Sequence, residues 1–417
     1  MKRFLYSILF LLFSVSVWAQ QVTLRGRVVD AETGEALPYV IIYVAEGRGT
    51  LTNTDGEFRL TVSPQDVLTI SYVGYEKQKM KASEISTTIK LKPFERLLSE
   101  VVVMPVDEQD VLKQVIRNLK KDYSSHKADR QGYFVRTMMK NKADSYLIES
   151  FMGANSAVNL RDEEIFSGIY GKNAAGDSSQ MGLGFTNIQH QTEIAPHTFS
   201  CRYWRDAIKP LSSVAMARKY YDIEVETLFG SEGEKLYRIN FRWNGKHEKT
   251  LRGRRYLTGT AFVDARTLRL LRFEGNVGNA YYTYNFLWRQ TNAIKFQISY
   301  DYTNGFAAVN NLAIEGGNDW MRYRILMFGI QADSLVAAGG GFVDNNIVEA
   351  VKNAGYDSTL WDKYDIVKRT KEEERVAFGN LATDSLSILN SNPSSLNPAP
   401  SSPNLAPSSQ KKKTTSQ

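Results

Sequence analysis

The chain has 417 residues, of which 42% are hydrophobic and 23% charged; this excludes collagen, wholesale disorder and a polytopic helical membrane protein, and leaves room for two or three domains. Its 22 Tyr, 20 Phe and 6 Trp against a single Cys favour β-structure built without disulfides. The formal charge of +7 falls to +3 for residues 20–381 once Lys2, Arg3 and the net +2 of the tail from Ala382 are set aside, and a near-neutral body with interspersed signs makes nucleic acid an unexpected partner.

Met1 to Ala19 opens with Lys2 and Arg3, runs through the apolar stretch Phe4–Phe13 and ends on Val17, Trp18 and Ala19. That order is the pattern of a cleavable signal peptide, and the apolar run is too short to span roughly 30 Å of hydrocarbon. The mature chain is expected to begin at Gln20 and to be exported, to the periplasm or in association with the outer membrane. No Cys follows the cleavage point, and the lone Cys201 reads as a core or surface thiol rather than a nucleophile.

From Val22 to Val103 short strands alternate with turns at the spacing of a β-sandwich. Thr23–Val29 is one strand, Val40–Val44 a buried run, and Phe58 and Leu60 share one side of another. Leu68, Ile70 and Tyr72 alternate with Thr69 and Ser71. The strongest turn signal is Asn53-Thr54-Asp55-Gly56, read as a tight hairpin. About seven strands make a small antiparallel sandwich. GRVVDAETGEALPYVIIYV (26–44), GTLTNTDGEFRL (49–60) and LTISYVGYE (68–76) together resemble the carboxypeptidase-regulatory-like domain, a prealbumin-type sandwich common in exported proteins of Bacteroidetes. The resemblance implies a structural module without catalytic residues. LSEVVV (98–103) is similar to the segment joining this module to the plug of TonB-dependent receptors, although no Gly-rich plug follows.

Beyond it, Asp107 is placed to cap a helix whose Val111, Leu112, Val115, Ile116 and Leu119 recur at helical spacing, with Lys113, Arg117, Lys120 and Lys121 on the wetter side. Tyr133–Met139 and Ser145–Phe151 read as strands. Arg161–Ala217 reads as a long irregular loop, a lid, binding loop or disordered insert. Tyr237, Ile239, Phe241 and Trp243 then alternate with Arg238, Asn240 and Arg242, and Ile294, Phe296, Ile298, Tyr300 and Tyr302 alternate likewise. With further strands at Tyr221–Leu228, Tyr256–Asp264, Arg269–Gly275, Tyr281–Trp288, Ala307–Glu315 and Met321–Ile330, residues 104–381 form a large curved antiparallel sheet or open barrel with a few helices. The hairpin LTGTAFVDARTLRLLRFEG (257–275), turning at Asp264, Ala265 and Arg266, resembles the hairpin of periplasmic lipoprotein-carrier folds. With LWDKYDIVKRTKEEE (360–374) it is also similar to the soluble part of an envelope-protein family of unknown function. Ser358 is a candidate cap for a helix through Lys363, with Trp361 and Tyr364 as anchors, and Thr370 starts a charged turn through Arg375. Residues 382–417 read as a disordered tail.

Chemistry is sparse. Of four His residues, His190 forms an HxxE pair with Glu193, and His197 or His247 could complete a zinc site of peptidase type; the setting is a loop, and no catalytic, cofactor-binding or metal residue is assigned. His126 enters no motif. Asp162, Glu163 and Glu164 read as a solvated loop face with a cation site as the alternative, and Gly339–Gly341 as a flexible turn. The expectation is a non-enzymatic envelope protein without cofactors that binds an apolar ligand, a partner protein or an outer-membrane component. A zinc metallopeptidase using His190 and Glu193 and a small outer-membrane β-barrel are the alternatives.

Overall fold

The computed structural model describes residues 21–44, 48–96, 108–141, 144–174, 208–247, 254–278, 281–284, 287–290, 294–317, 321–330, 335–336, 347–364 and 367–378. The segment expected to be a signal peptide, Asp107, His190, Glu193, His197, Cys201, Gly339–Gly341 and the segment expected to be a tail lie outside these residues. Seven strands build the N-terminal module: β1 (Val22–Asp30), β2 (Ile41–Tyr43), β3 (Gly49–Leu51), β4 (Glu57–Val62), β5 (Val67–Ser71), β6 (Gln78–Lys81) and β7 (Thr88–Leu91). They form two sheets, ordered β4-β1-β7 and β3-β2-β5-β6, packed over Val28, Val40, Ile42, Phe58, Leu60, Leu68 and Ile70. Alternation dictates this core, since β4 buries Phe58, Leu60 and Val62 and half-exposes the residues between.

Two details of the module differ from the sequence reading. The turn at Asn53 is real: its Oδ1 accepts from the Asp55 and Glu57 amides at 3.0 and 2.9 Å, and Gly56 takes φ +74° where a Cβ would meet the Val28 carbonyl oxygen at 2.7 Å. It joins β3 to β4 in different sheets, however, so it is a corner and not a hairpin. The sandwich is also not wholly antiparallel, because β1 and β7 pair in parallel, Arg27 opposite Thr88. After β6 the chain crosses between sheets and re-enters beside β1 in the same direction.

The second region is an eleven-stranded curved sheet in which every pairing is antiparallel. Its strands are β8 (Glu95–Arg96), β9 (Arg130–Asn141), β10 (Asp144–Asn155), β11 (Arg161–Ala174), β12 (Tyr221–Phe229), β13 (Lys235–Trp243), β14 (Tyr256–Asp264), β15 (Leu270–Gly278), β18 (Ile294–Asp301), β19 (Ala308–Gly317) and β20 (Met321–Ile330). The order is β11-β10-β9-β20-β19-β18-β15-β14-β13-β12-β8, open at both ends among the described residues. Tyr281–Trp288, expected as one strand, is instead two short ones, β16 (Tyr281–Tyr284) and β17 (Leu287–Gln290), forming their own hairpin. The expected irregular loop begins later than Arg161. Its first fourteen residues are β11, which the sequence disguised with Gly168, Gly171 and two register shifts against β10. Its last residues include α2 (Val214–Tyr220), capped by the Ser213 hydroxyl. The helix expected after Asp107 is α1 (Glu108–His126), with Val111, Leu112, Val115, Ile116 and Leu119 all buried.

Side chains of the sheet alternate between an inner face, which carries the main core and α1, and an outer face. The outer face is covered partly by the sandwich, whose Tyr39 and Leu51 pack with Phe134, Phe151, Ala313 and Phe328. Toward β11 a C-terminal strap of three helices, α3 (Ile347–Ala354), α4 (Ser358–Lys363) and α5 (Lys371–Phe378), adds α4 and α5 to this covering. The strap wraps the β11 edge. On the inner side Val351 of α3 fits against Gly168, where a Cβ would come within 2.7 Å of it; at the edge the Gly168 amide donates to the Gly355 carbonyl at 2.7 Å. On the outer side Trp361 packs edge-on against Phe151 and Phe134, while its indole N–H donates to Ser167 Oγ at 2.9 Å. The α4 cap is Asp357 and not Ser358, its Oδ1 accepting from the Thr359 amide at 2.9 Å. Thr370 and Glu373 form a reciprocal capping box on α5.

Beneath the strap lies a buried ionic cluster. Glu149, fully buried on β10, accepts from Arg136 Nε at 2.6 Å and Arg369 Nε at 3.0 Å, and Arg136 also donates to Glu373 at 3.3 Å and to the Val367 carbonyl. Burial alone would raise the Glu149 carboxyl, but Arg369 and Arg136 outweigh it and hold the group at about 2, below the ordinary 4.5. A carboxylate depressed in the folded state contributes stability that is present above pH 4.5 and lost as pH falls toward 2. Glu149→Gln is expected to cost about 3–5 kcal/mol at neutral pH, because Arg369 loses its paired carboxylate and Arg136 keeps only Glu373, and to flatten the acid dependence in that window. Urea unfolding of both proteins across acidic pH measures this.

Candidate functional site

The inner face of the sheet is apolar from β10 to β13. On β13, Tyr237, Ile239 and Phe241 point inward, as their alternation with Arg238, Asn240 and Arg242 requires. Cross-strand neighbours continue the surface through Ala261, Phe273, Ile298, Leu312, Met327, Val135 and Ser150. A chain of rings crosses one end: Trp243 is stacked between Tyr220 and Tyr256, at 5.8 and 4.1 Å, and Phe241, Phe273 and Phe296 follow in edge or tilted contact. With helices on this face and the sandwich and strap on the other, the aromatic residues of β13 are core, and these strands present no bare lipid-facing band of the kind the barrel alternative needs.

Helix α1 covers this face, assisted by Ala217 and Tyr220 of α2 and Val351 of α3. Its polar attachments among the described residues belong to its second half. Asn118 Nδ2 donates to the Leu268 carbonyl at 3.0 Å, Asp122 Oδ2 accepts from the Ala307 amide at 3.0 Å, Arg161 lies over the Tyr123 ring at 4.8 Å, and His126 stacks on Phe306 at 4.2 Å. The first half is held among the described residues by apolar contact through Val111, Leu112, Val115 and Ile116.

The apolar surface is interrupted by phenols and hydroxyls. Tyr133 donates to the Val309 carbonyl and Tyr221 to the Ile208 carbonyl, each at 2.7 Å. Thr137 Oγ1, Ser150 Oγ and the Tyr300 hydroxyl are buried without a hydrogen-bond partner among the described residues. Burial pushes the Tyr133, Tyr221, Tyr300 and Tyr323 phenols far above the ordinary range, so all four remain neutral. This is a surface for burying hydrocarbon with a few hydrogen-bonding points.

Of the residues singled out in the sequence, His126 pairs with Asp129 at 2.8 Å at the end of α1, and His247 meets the Tyr220 ring edge-on. Among the described residues no three His, Cys, Asp or Glu side chains form a group able to hold a metal ion. The Asp162–Glu164 run is not a solvated loop face: it opens β11, with Glu163 and Glu164 each 3% exposed and Glu164 paired to Arg130 at 3.3 Å. Sequence reasoning missed the Arg136, Glu149, Arg369 and Glu373 cluster; the Thr370-x-x-Glu373 spacing was its one available trace.

The fold and this surface define a two-part, mainly β protein: a sandwich module joined to an open sheet with a helix-covered apolar face. Residues 24–103 match the CarboxypepD_reg-like domain, as the motifs implied. Over 107 residues the chain is 29% identical to the TonB-dependent receptor SusC of Bacteroides thetaiotaomicron, an alignment covering 24% of this chain and 11% of that one. The chain therefore spans about a tenth of the length of this curated relative. A crystal structure of a DUF1329 family protein from Desulfovibrio piger aligns with 54% of this chain and 95% of its own, at 10% identity and a TM-score of 0.21, too low to transfer a fold.

Two substitutions probe the inner face. Phe241→Ala should cost roughly 3–5 kcal/mol as a core truncation, read by chemical denaturation in plain buffer. Tyr300→Phe should leave stability unchanged or slightly raised, whereas Tyr133→Phe, which deletes a made hydrogen bond, should lose about 1 kcal/mol.

Proposed function

We propose that this is an exported cell-envelope protein of the periplasm or the outer-membrane surface, without catalytic activity, that holds an apolar or amphiphilic ligand between the inner face of the sheet and helix α1. One observation carries the reading: a largely apolar face, broken by a few hydroxyls, is closed by a helix whose polar fastenings among the described residues lie between Asn118 and His126. Among the described residues no hydrogen bond to the sheet holds the first half of α1, and the core it packs against is made of Val, Ile, Leu, Phe and Tyr side chains. The leader, the CarboxypepD_reg-like module, the similarity to a TonB-dependent receptor and the carrier-like hairpin at 257–275 support the location. Thr137, Ser150 and Tyr300 supply fixed hydrogen-bonding points for a ligand with one polar group.

Protein purified from the cell envelope without detergent is expected to carry a lipid-sized adduct in native mass spectrometry. After extraction with organic solvent it should take up an apolar fluorescent probe saturably, and cross-linking α1 to the sheet through its first half should abolish that uptake. Absence of both adduct and saturable uptake sinks the binding reading.

A further inference from the structure

The outer surface of the covering helices has a charge pattern that the net charge of the chain conceals. On α1, Lys113, Arg117, Lys120 and Lys121 recur at i, i+4, i+7 and i+8, all exposed, on the side opposite Val111, Val115 and Leu119. Exposed Asp110 stands one turn before Lys113 at the start of the stripe; from Val111 to Tyr123 the helix has one acid, Asp122, and that carboxylate is engaged by the Ala307 amide. The packed neighbour α2 adds exposed Arg218 and Lys219 and no acid, and the hairpin turn that Asn118 grips adds exposed Arg266. None of these seven cations makes an ion pair with a carboxylate among the described residues; Arg117 bonds only Gln114, and Lys219 lies over the Tyr220 ring.

A solvated helix face ordinarily mixes signs at i, i+4, because unrelieved like charges repel. Here the repulsion is kept, on the two helices that close the apolar face. We propose that the outer surface of α1 and α2 is a docking surface for an anionic lipid bilayer. The cations would lie against the headgroups and the helices between headgroups and apolar interior, the arrangement of a basic amphipathic helix at a membrane surface. The partner is a bilayer rather than a nucleic acid because the stripe is short and sits on the cover of an apolar surface; Lys249, Arg252, Arg254 and Arg255 form a second basic run in the sequence, which the DNA arm of the test below addresses. The inference rests on the envelope location proposed above and not on the ligand.

The test is co-sedimentation of the purified protein with vesicles of phosphatidylcholine alone and of phosphatidylcholine mixed with phosphatidylglycerol, at low and high salt. Wild type is expected to bind the mixed vesicles, to ignore the neutral ones and to be released by salt. The exposed quadruple variant K113Q/R117Q/K120Q/K121Q should bind at least about tenfold more weakly, since each cation near an anionic surface contributes a several-fold factor. K77Q/K79Q/K81Q, at exposed positions on and just before β6 of the sandwich, should bind as wild type; circular dichroism and thermal unfolding verify that both variants fold. Equal binding to both vesicle types, or an unchanged quadruple variant, overturns the proposal. So does duplex DNA bound as tightly as the mixed vesicles with the same sensitivity to the quadruple variant. A protein that binds anionic vesicles yet never takes up an apolar probe leaves this surface standing and removes only the ligand reading.

Discussion

A long antiparallel sheet must hide two faces and manage its edges, and nearly everything else in this structure answers that demand. A strand covered on one side can alternate apolar and polar residues; a strand covered on both sides cannot. The middle of the sheet is covered on both sides. On β9, Tyr133, Val135 and Met139 face the inner core while Phe134 and Met138 face the sandwich and strap, all buried. The two coverings are unlike in kind: helices on the inner face, a complete β-module and a wrapped segment on the outer. The edge strand β11, where unpaired backbone would otherwise invite association, is closed by the turn at Gly355.

The outer covering is held by charge where the inner one is held by hydrocarbon. Arg136 on β9 cannot face water once the strap lies over it, so the strap brings Glu373 and two backbone carbonyls to it, and Glu149 stands between it and Arg369. Such a cluster adds little net stability over an apolar one of equal volume, but it admits one seating of the strap, since any slide leaves a buried charge alone. The strap also reaches the module through Lys368 and Glu57, 2.6 Å apart, so the same segment fixes both partners of the outer face.

How much of this was legible follows from the covering. Strands with one wet side, such as β13 and β14, announced themselves, and the Tyr256–Asp264 and Met321–Ile330 boundaries agree with the sequence reading. Strand β11 did not, because its inward positions include Gly168, which yields its volume to Val351, and its acidic residues looked like a loop until the fold buried them. Helix α1 was legible from its period, but its role as the cover of the sheet was not, because no local pattern says which of two apolar faces a helix will choose. The basic surface was legible only in part, as Lys113, Arg117, Lys120 and Lys121 on the wetter side of one helix. Total charge averages over a chain, whereas α1 and α2 meet only through the fold.

The passage from sandwich to sheet has a mechanical meaning. Only Lys92, Pro93 and Phe94 separate the last strand of the module, β7, from β8, which is already paired to Leu228 and Phe229 at the border of the large sheet. Arg272 on that sheet sits between the rings of Tyr72 and Phe262, 4.3 Å from each. Three residues with a proline among them are no swivel. The sandwich is thereby continuous with the end of β12 at Leu228 and Phe229, while α2 and the ring chain of Tyr220 and Trp243 stand at the other end of that strand, so one border strand links the module to the apolar face.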